Sequence, residues 1–417
     1  MSIRFSRFLG RAVSIFAAAL VLASTASALI SEQVIFNFTV ATGGNPESSL
    51  LQDSAGRLYG TTYDGGDVNC GFSSGCGVVF ELAPKAGGTW NYRQLYVFKN
   101  PTDGLSPRGN LLFDPAGSLY GITEAGGGAP LYPGTVYKLT PAGSGAWTKS
   151  TIHVFGSSGD GTDPRDGLTM DAAGNLYGTT YRGGAYGAGT VYELMTNSDG
   201  SWTEKVLYSF GAQKRDGASP WAGVTLDTTG NLFGTTELGG TANLGTVFEL
   251  SPDASGGWVE STIYSLKNLG WQYPISPVLL DSAGHLYVTT TGGPYSTGNI
   301  FELAQRSDGS WGAKLLYAFG GYPTDGGDPQ GPLVFDKAGN LYGATYAGGS
   351  SGTNHGTVYK LIPHSNGTWS ETVIYSFTDT DGMEPAGGVT FGKRGVLYGT
   401  TQYGGSANLG TVFEITP

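Results

Sequence analysis

Short runs of Leu, Val, Thr, Tyr and Phe alternate along the chain with clusters of Gly, Asp, Asn and Pro. Runs of that composition, bounded by those residues, predict β-strands joined by turns. One run keeps returning. Its Leu-aromatic pair stands at Leu58-Tyr59, Leu119-Tyr120, Leu176-Tyr177, Leu232-Phe233, Leu286-Tyr287, Leu341-Tyr342 and Leu397-Tyr398, with neighbouring copies 54 to 61 residues apart. A strand-rich repeat of roughly 50 residues is the mark of a propeller, in which each copy is one blade that cannot bury its faces alone.

Every copy offers four strands. In the third they fall at 168–170, 175–180, 189–194 and 202–210. The first turn, Asp171-Ala172-Ala173-Gly174, puts Asp where its carboxylate can cap its own backbone and Gly where a positive φ is needed. The same Asp-x-x-Gly recurs at Asp53, Asp114, Asp227, Asp281 and Asp336, while the last copy has Gly392. These carboxylates read as turn formers. Trp90, Trp147, Trp202, Trp258, Trp311 and Trp369 open six fourth strands. A seventh, Val34-Ile35-Phe36-Asn37-Phe38, lies at the other end of the chain, whose last copy stops after Gly410-Thr411-Val412-Phe413-Glu414-Ile415. The pattern therefore predicts an all-β, seven-bladed propeller of four antiparallel strands per blade. Its N-terminal strand should pair with the C-terminal blade and remove both open edges.

Composition refines this picture. Gly accounts for 71 of 417 residues and charged residues for only 13%, yet aromatics reach 12% in register with the Gly, so the glycines are turns between strands and not a flexible linker. Arg4, Arg7 and Arg11, an apolar run at 12–23 and Ala26-Ser27-Ala28 have the order of a secretory signal peptide, expected over 1–28, with the propeller over 29–417. Loss of those three arginines takes the net charge from −11 to −14. An acidic chain without basic clusters argues against nucleic acid and anionic membranes, and no second apolar run of spanning length follows. The expected product is a secreted, periplasmic or surface-exposed monomer. Cys70 and Cys76, the two cysteines of the chain, share one loop of the first copy and are expected to form a local disulfide there.

The unit L-Y-G-T-T…G-G…G-T-V-F-E-L, repeated from Val34 to Pro417, resembles that of the secreted GloVer tandem-repeat family. More loosely, the P-x-G-V-x-x-D-x-x-G-N-L-Y hairpin is similar to NHL-type propellers, which are mostly binding platforms. The first resemblance implies the repeat fold and carries no activity with it. The second implies the strand order and no particular partner.

Candidate chemistry concentrates in the longer loops, which join the fourth strand to the next blade and the second strand to the third, and so share one face of the ring. A Gly-Gly pair occurs there in every copy, from Gly65-Gly66 to Gly404-Gly405, without the strand-to-helix setting of a phosphate loop. An Asp-Gly precedes Pro in five crossing loops, at Asp103, Asp160, Asp216, Asp325 and Asp381. Turn formation explains these first; a cation such as calcium is their alternative reading. Where first strands enter the channel, Asn110 and Asp166 are the strongest candidate ligands. Four aromatics depart from the repeat: Trp221, Trp271, Tyr273 and Tyr322. Flat rings beside Asn, Asp and Gly suit sugar faces, against the plainer reading that they plug the loops. No nucleophile, metal or His-pair motif stands out. The leading expectation is a non-enzymatic binding module for glycan on the long-loop face. An extracellular polysaccharide lyase or hydrolase with calcium assistance and a protein–protein scaffold are the alternatives.

Overall fold

A computed structural model describes residues 30–416, except 129–132, 268–271, 293–296, 321–322, 324 and 351–353. The expected signal peptide therefore lies outside the described residues.

Seven four-stranded antiparallel sheets are arranged as the blades of a propeller. The first blade runs Leu51–Gln52, Leu58–Thr62, Val78–Pro84 and Trp90–Val97 from the inside outwards. In the last, Val389–Phe391, Leu397–Thr401 and Thr411–Thr416 are joined by Ser31–Asn37 as the outermost strand. That strand pairs Ser31 with Thr416 and Asn37 with Thr411, so the two ends of the chain close the ring as the repeat count predicts. Among the described residues, no helix is long and apolar enough to cross a membrane.

The L-Y-G-T-T glycine explains how a blade is packed. It pairs across the sheet with a third-strand aromatic: Gly60 with Phe80, Gly178 with Tyr192, Gly234 with Phe248 and Gly399 with Phe413. A Cβ at Gly234 would stand 2.5 Å from Cζ of Phe248, so the missing side chain is the space the ring fills. Each of these aromatics is fully buried. The Phe ending the fourth strand then meets the third-strand aromatic of the following blade, nearly edge-on. Centroids are 5.4 Å apart for Phe98–Tyr137, 5.0 Å for Phe155–Tyr192, 5.1 Å for Phe210–Phe248 and 5.0 Å for Phe319–Tyr359. Phe38 and Phe80, 5.2 Å apart, carry the ladder across the closure. The repeating Trp also crosses a seam: Trp202 packs on Tyr120 and Trp258 on Tyr177 of the preceding blades.

Polar bonds stitch the same seams near the axis. Thr179 Oγ1 donates to the Ala222 carbonyl at 2.9 Å, and Thr225 Oγ1 to that of Val278 at 2.6 Å. Thr400 Oγ1 reaches Ser48 O at 3.0 Å and Gln402 Nε2 reaches Glu47 at 2.7 Å, joining the last blade to the first. Cys70 and Cys76 form the expected disulfide, with Cα atoms 6.2 Å apart.

Candidate functional site

The crossing loops enter the first strands through a residue-Pro-residue triplet in every blade. The residue before Pro is left-handed in all seven: Asn45 (φ 53°), Ser106 (54°), Asp163 (64°), Ser219 (55°), Tyr273 (56°), Asp328 (59°) and Glu384 (59°). Pro disfavours the right-handed helical region in the residue before it, and a positive φ strains a side chain further. Backbone contacts hold the strain. Ser219 N donates to Ala188 O of the preceding blade at 2.7 Å, and its carbonyl accepts from Glu237 N at 3.1 Å. The Pro lies on a glycine of the preceding blade, where a Cβ at Gly189 would come within 2.6 Å of Pro220 Cδ.

This geometry delivers the residue after each Pro to the mouth of the central channel. Glu47, Arg108, Arg165, Trp221, Ile275, Gln330 and Ala386 all line one cavity of about 260 Å³. They differ from blade to blade while the scaffold around them repeats. Two arginines organise the mouth. Arg108 contacts Glu47 and Glu124, each at 2.6 Å, and its guanidinium carbon lies 5.1 Å from the Trp221 ring centroid. Arg165 grips both Asp163 oxygens at 3.1 Å, and lies 3.7 Å from the Tyr181 centroid and 4.2 Å from that of Trp221. Burial pushes the Glu47 carboxyl above its ordinary range, against the pull of Arg108. The Asp166 carboxyl also rises through burial, opposed by backbone donors at Gly223, Gly167 and Asn110.

Asn110 and Asp166, the channel-facing candidates, are both engaged between blades. Asn110 Oδ1 accepts from Ser49 N at 2.9 Å; Asp166 accepts from Gly167 N at 2.7 Å and Gly223 N at 3.0 Å. The five crossing-loop carboxylates are not brought together; each is held in its own loop. Tyr96, Tyr208, Tyr317 and Tyr375 donate to Asp103, Asp216, Asp325 and Asp381 at 2.7–3.0 Å, and His153 takes the tyrosine's place beside Asp160 at 3.0 Å. Backbone N–H groups complete the loop, such as Gly211 N to Asp216 at 2.9 Å. The first glycine of the Gly-Gly pair approaches this loop closely, so that a Cβ at Gly239 would meet Asp216 O at 2.2 Å. Among the described residues, no group of three or more His, Cys, Asp or Glu is placed to hold a metal ion.

Of the four aromatics that break the repeat, Trp221 and Tyr273 line one cavity of about 670 Å³ beside the channel mouth. Glu237, Asp328, Gln330 and Asn354 share its wall. Trp271 and Tyr322 lie outside the described residues. Sequence reading found Trp221 and Tyr273 as departures but missed the ring of post-proline positions. The seven triplets at Pro46, Pro107, Pro164, Pro220, Pro274, Pro329 and Pro385 were the available signal, since the Pro is constant and the residue after it is not.

The fold and the unit that builds it define a tandem-repeat β-propeller with a variable channel mouth. The chain belongs to the Gloeobacter/Verrucomicrobia repeat family, whose model matches residues 22–148, 70–261 and 254–417. No curated protein sequence matches it. Among solved structures, it is similar to a family PL25 ulvan lyase bound to -[GlcA(1-4)Rha3S]-, at 9% identity and a TM-score of 0.54, covering 90% of this chain and 95% of that one. An ancestral GH74 enzyme gives 12% identity and a TM-score of 0.52, over 89% of this chain and 51% of that one. A Dyadobacter fermentans protein of unknown function gives 12% identity and a TM-score of 0.41, covering 93% of this chain and all of that one. For the ulvan lyase and the GH74 enzyme, identities this low show a shared fold alone.

Proposed function

We propose that this propeller is an exported glycan-binding module whose site is the cavity between Trp221 and Tyr273 on the long-loop face. The observation that carries the reading is the joint placement of these two departures from the repeat in one cavity of about 670 Å³. An indole and a phenol offer flat apolar faces to sugar C–H groups, while Gln330, Asn354, Glu237 and Asp328 offer hydrogen-bonding groups to the hydroxyls. Arg165 and Arg108 fix the indole in place, so its orientation is set before a ligand arrives.

The test is retention on a glycan array, with and without calcium, for the wild-type chain and for Tyr273→Ala and Trp221→Ala. Wild-type binding lost in Tyr273→Ala at an unchanged Tm supports the site, and calcium dependence would bring the crossing-loop aspartates into it. Retention by both folded variants places binding elsewhere. A catalytic use of the cavity would release new sugar ends from a bound polysaccharide, which a reducing-end assay on the same samples reads directly.

A further inference from the structure

We infer that the Trp221–Tyr273 cavity selects saccharides bearing a free amino group over N-acetylated and acidic ones; the inference rests on the glycan-binding reading above. Glu237 and Asp328 are the charged residues on its wall, and among the described residues no Lys, Arg or His lines it. Both guanidiniums beside Trp221 are already held, that of Arg165 by both oxygens of Asp163 and that of Arg108 by Glu47 and Glu124. A uronate or sulfate group entering here would meet carboxylates without a free cation to receive it.

The two carboxylates are also short of partners. Glu237 lies beside the Tyr181 hydroxyl, and Gln330 Nε2 donates to Asp328 Oδ2 at 3.1 Å. Glu237 Oε2 and Asp328 Oδ1 are buried without a hydrogen-bond partner. Buried acceptors of this kind favour a cationic donor, which an ammonium supplies and an acetamide does not. Burial raises the Asp328 carboxyl above its ordinary range, as expected of a carboxylate that lacks a counter-charge. Tyr273 and Trp221 would hold the ring while Glu237 and Asp328 read its nitrogen.

The deciding experiment is calorimetric titration of the full chain with three probes, at mildly acidic pH and low salt. They are a glucosamine hexamer, its fully N-acetylated counterpart and a galacturonate hexamer. The amine-bearing probe should bind at least about tenfold more tightly than the acetylated one, lose that lead in high salt, and leave the uronate unbound. Glu237→Gln with Asp328→Asn should bring the first two probes to parity, with Asp328→Asn alone reducing the gap should the double variant fail to fold. Equal binding of the amine and acetyl probes, or tighter binding of the uronate, overturns the charge selection and leaves a glycan site standing. Binding of none of the three by the wild-type chain, with a blank glycan array, overturns both readings.

Discussion

At the scale of single residues, the repeat runs seven near-copies of each environment and shows which side chains fit it best. The third-strand aromatic is Phe80, Phe248, Phe301 and Phe413 in four blades but Tyr137, Tyr192 and Tyr359 in three. All seven are fully buried, and the three tyrosine hydroxyls have no hydrogen-bond partner. An unpartnered buried hydroxyl is destabilising by about 1–3 kcal/mol, so Tyr192→Phe should raise stability by about 1 kcal/mol in chemical denaturation. The facing glycine behaves oppositely. Gly234→Ala places a methyl against Phe248, and should lower stability by about 1–3 kcal/mol in the same assay, through overpacking and not through backbone strain.

At the scale of strands and loops, the outer edge of each blade faces the crossing loop that precedes it. Glu32, Glu260 and Glu371 occupy equivalent fourth-strand positions, opposite Ile415, Leu250 and Leu361. Burial, together with Asp381, Asp216 and Asp325 respectively, raises each carboxyl from 4.5 to about 7, while Tyr375 and Thr262 pull Glu32 and Glu260 back. A group raised on folding favours the folded state most when protonated in both states, below its unfolded pKa. That contribution fades as pH climbs through about 7. The Tm should therefore rise from about pH 8 to about pH 5, before the lowered carboxyls of Asp53, Asp114, Asp227 and Asp336 are protonated and oppose it. Glu260→Gln should flatten the profile. Blade two carries Lys149 instead, opposite Leu139, with Nζ 3.1 Å from Asp103 Oδ1. Lys149→Glu should lower stability at neutral pH and import the same slope.

The strand pattern was legible because its signals are local: alternation within a few residues, Asp-x-x-Gly turns, a Leu-aromatic pair at a steady interval. Blade number and closure were legible too, since they require only counting copies and noticing the displaced Val34–Phe38 segment. The candidate site was legible in part. Trp221 and Tyr273 broke the repeat, but their common cavity depends on how neighbouring blades splay around an axis, which no single copy encodes. Arg108 and Arg165 carried one signal, the position after a constant Pro, but their meeting was hidden for the same reason. They sit in different copies, and what joins them is the Trp221 ring, in a third.

At the scale of the whole molecule, the ring holds by closely similar seams, so it should be tolerant of where the chain is cut and sensitive to losing a strand. Deleting residues 30–38 removes the outer strand of the last blade together with Phe38, which packs 5.2 Å from Phe80 across the closure. Size-exclusion chromatography of that deletion should show dimers or larger species, because Thr411–Thr416 becomes an unpaired edge. A circular permutant that joins the present ends and opens at a crossing loop should stay monomeric with a near-native Tm.

The pairing of Ser31–Asn37 with Thr411–Thr416 also imposes an order in time. Within the propeller, the first strand to be synthesised belongs to the last blade to be made, so it must wait, unpaired, while the other blades are made. Earlier blades can form as their strands appear, since their contacts are close in sequence. The circle alone depends on the most distant pairing, and long-range pairing is slow. Refolding should show a fast phase for blade formation and a slow one for locking the ring. Moving the break to a blade boundary should remove the slow phase and leave the fast one intact.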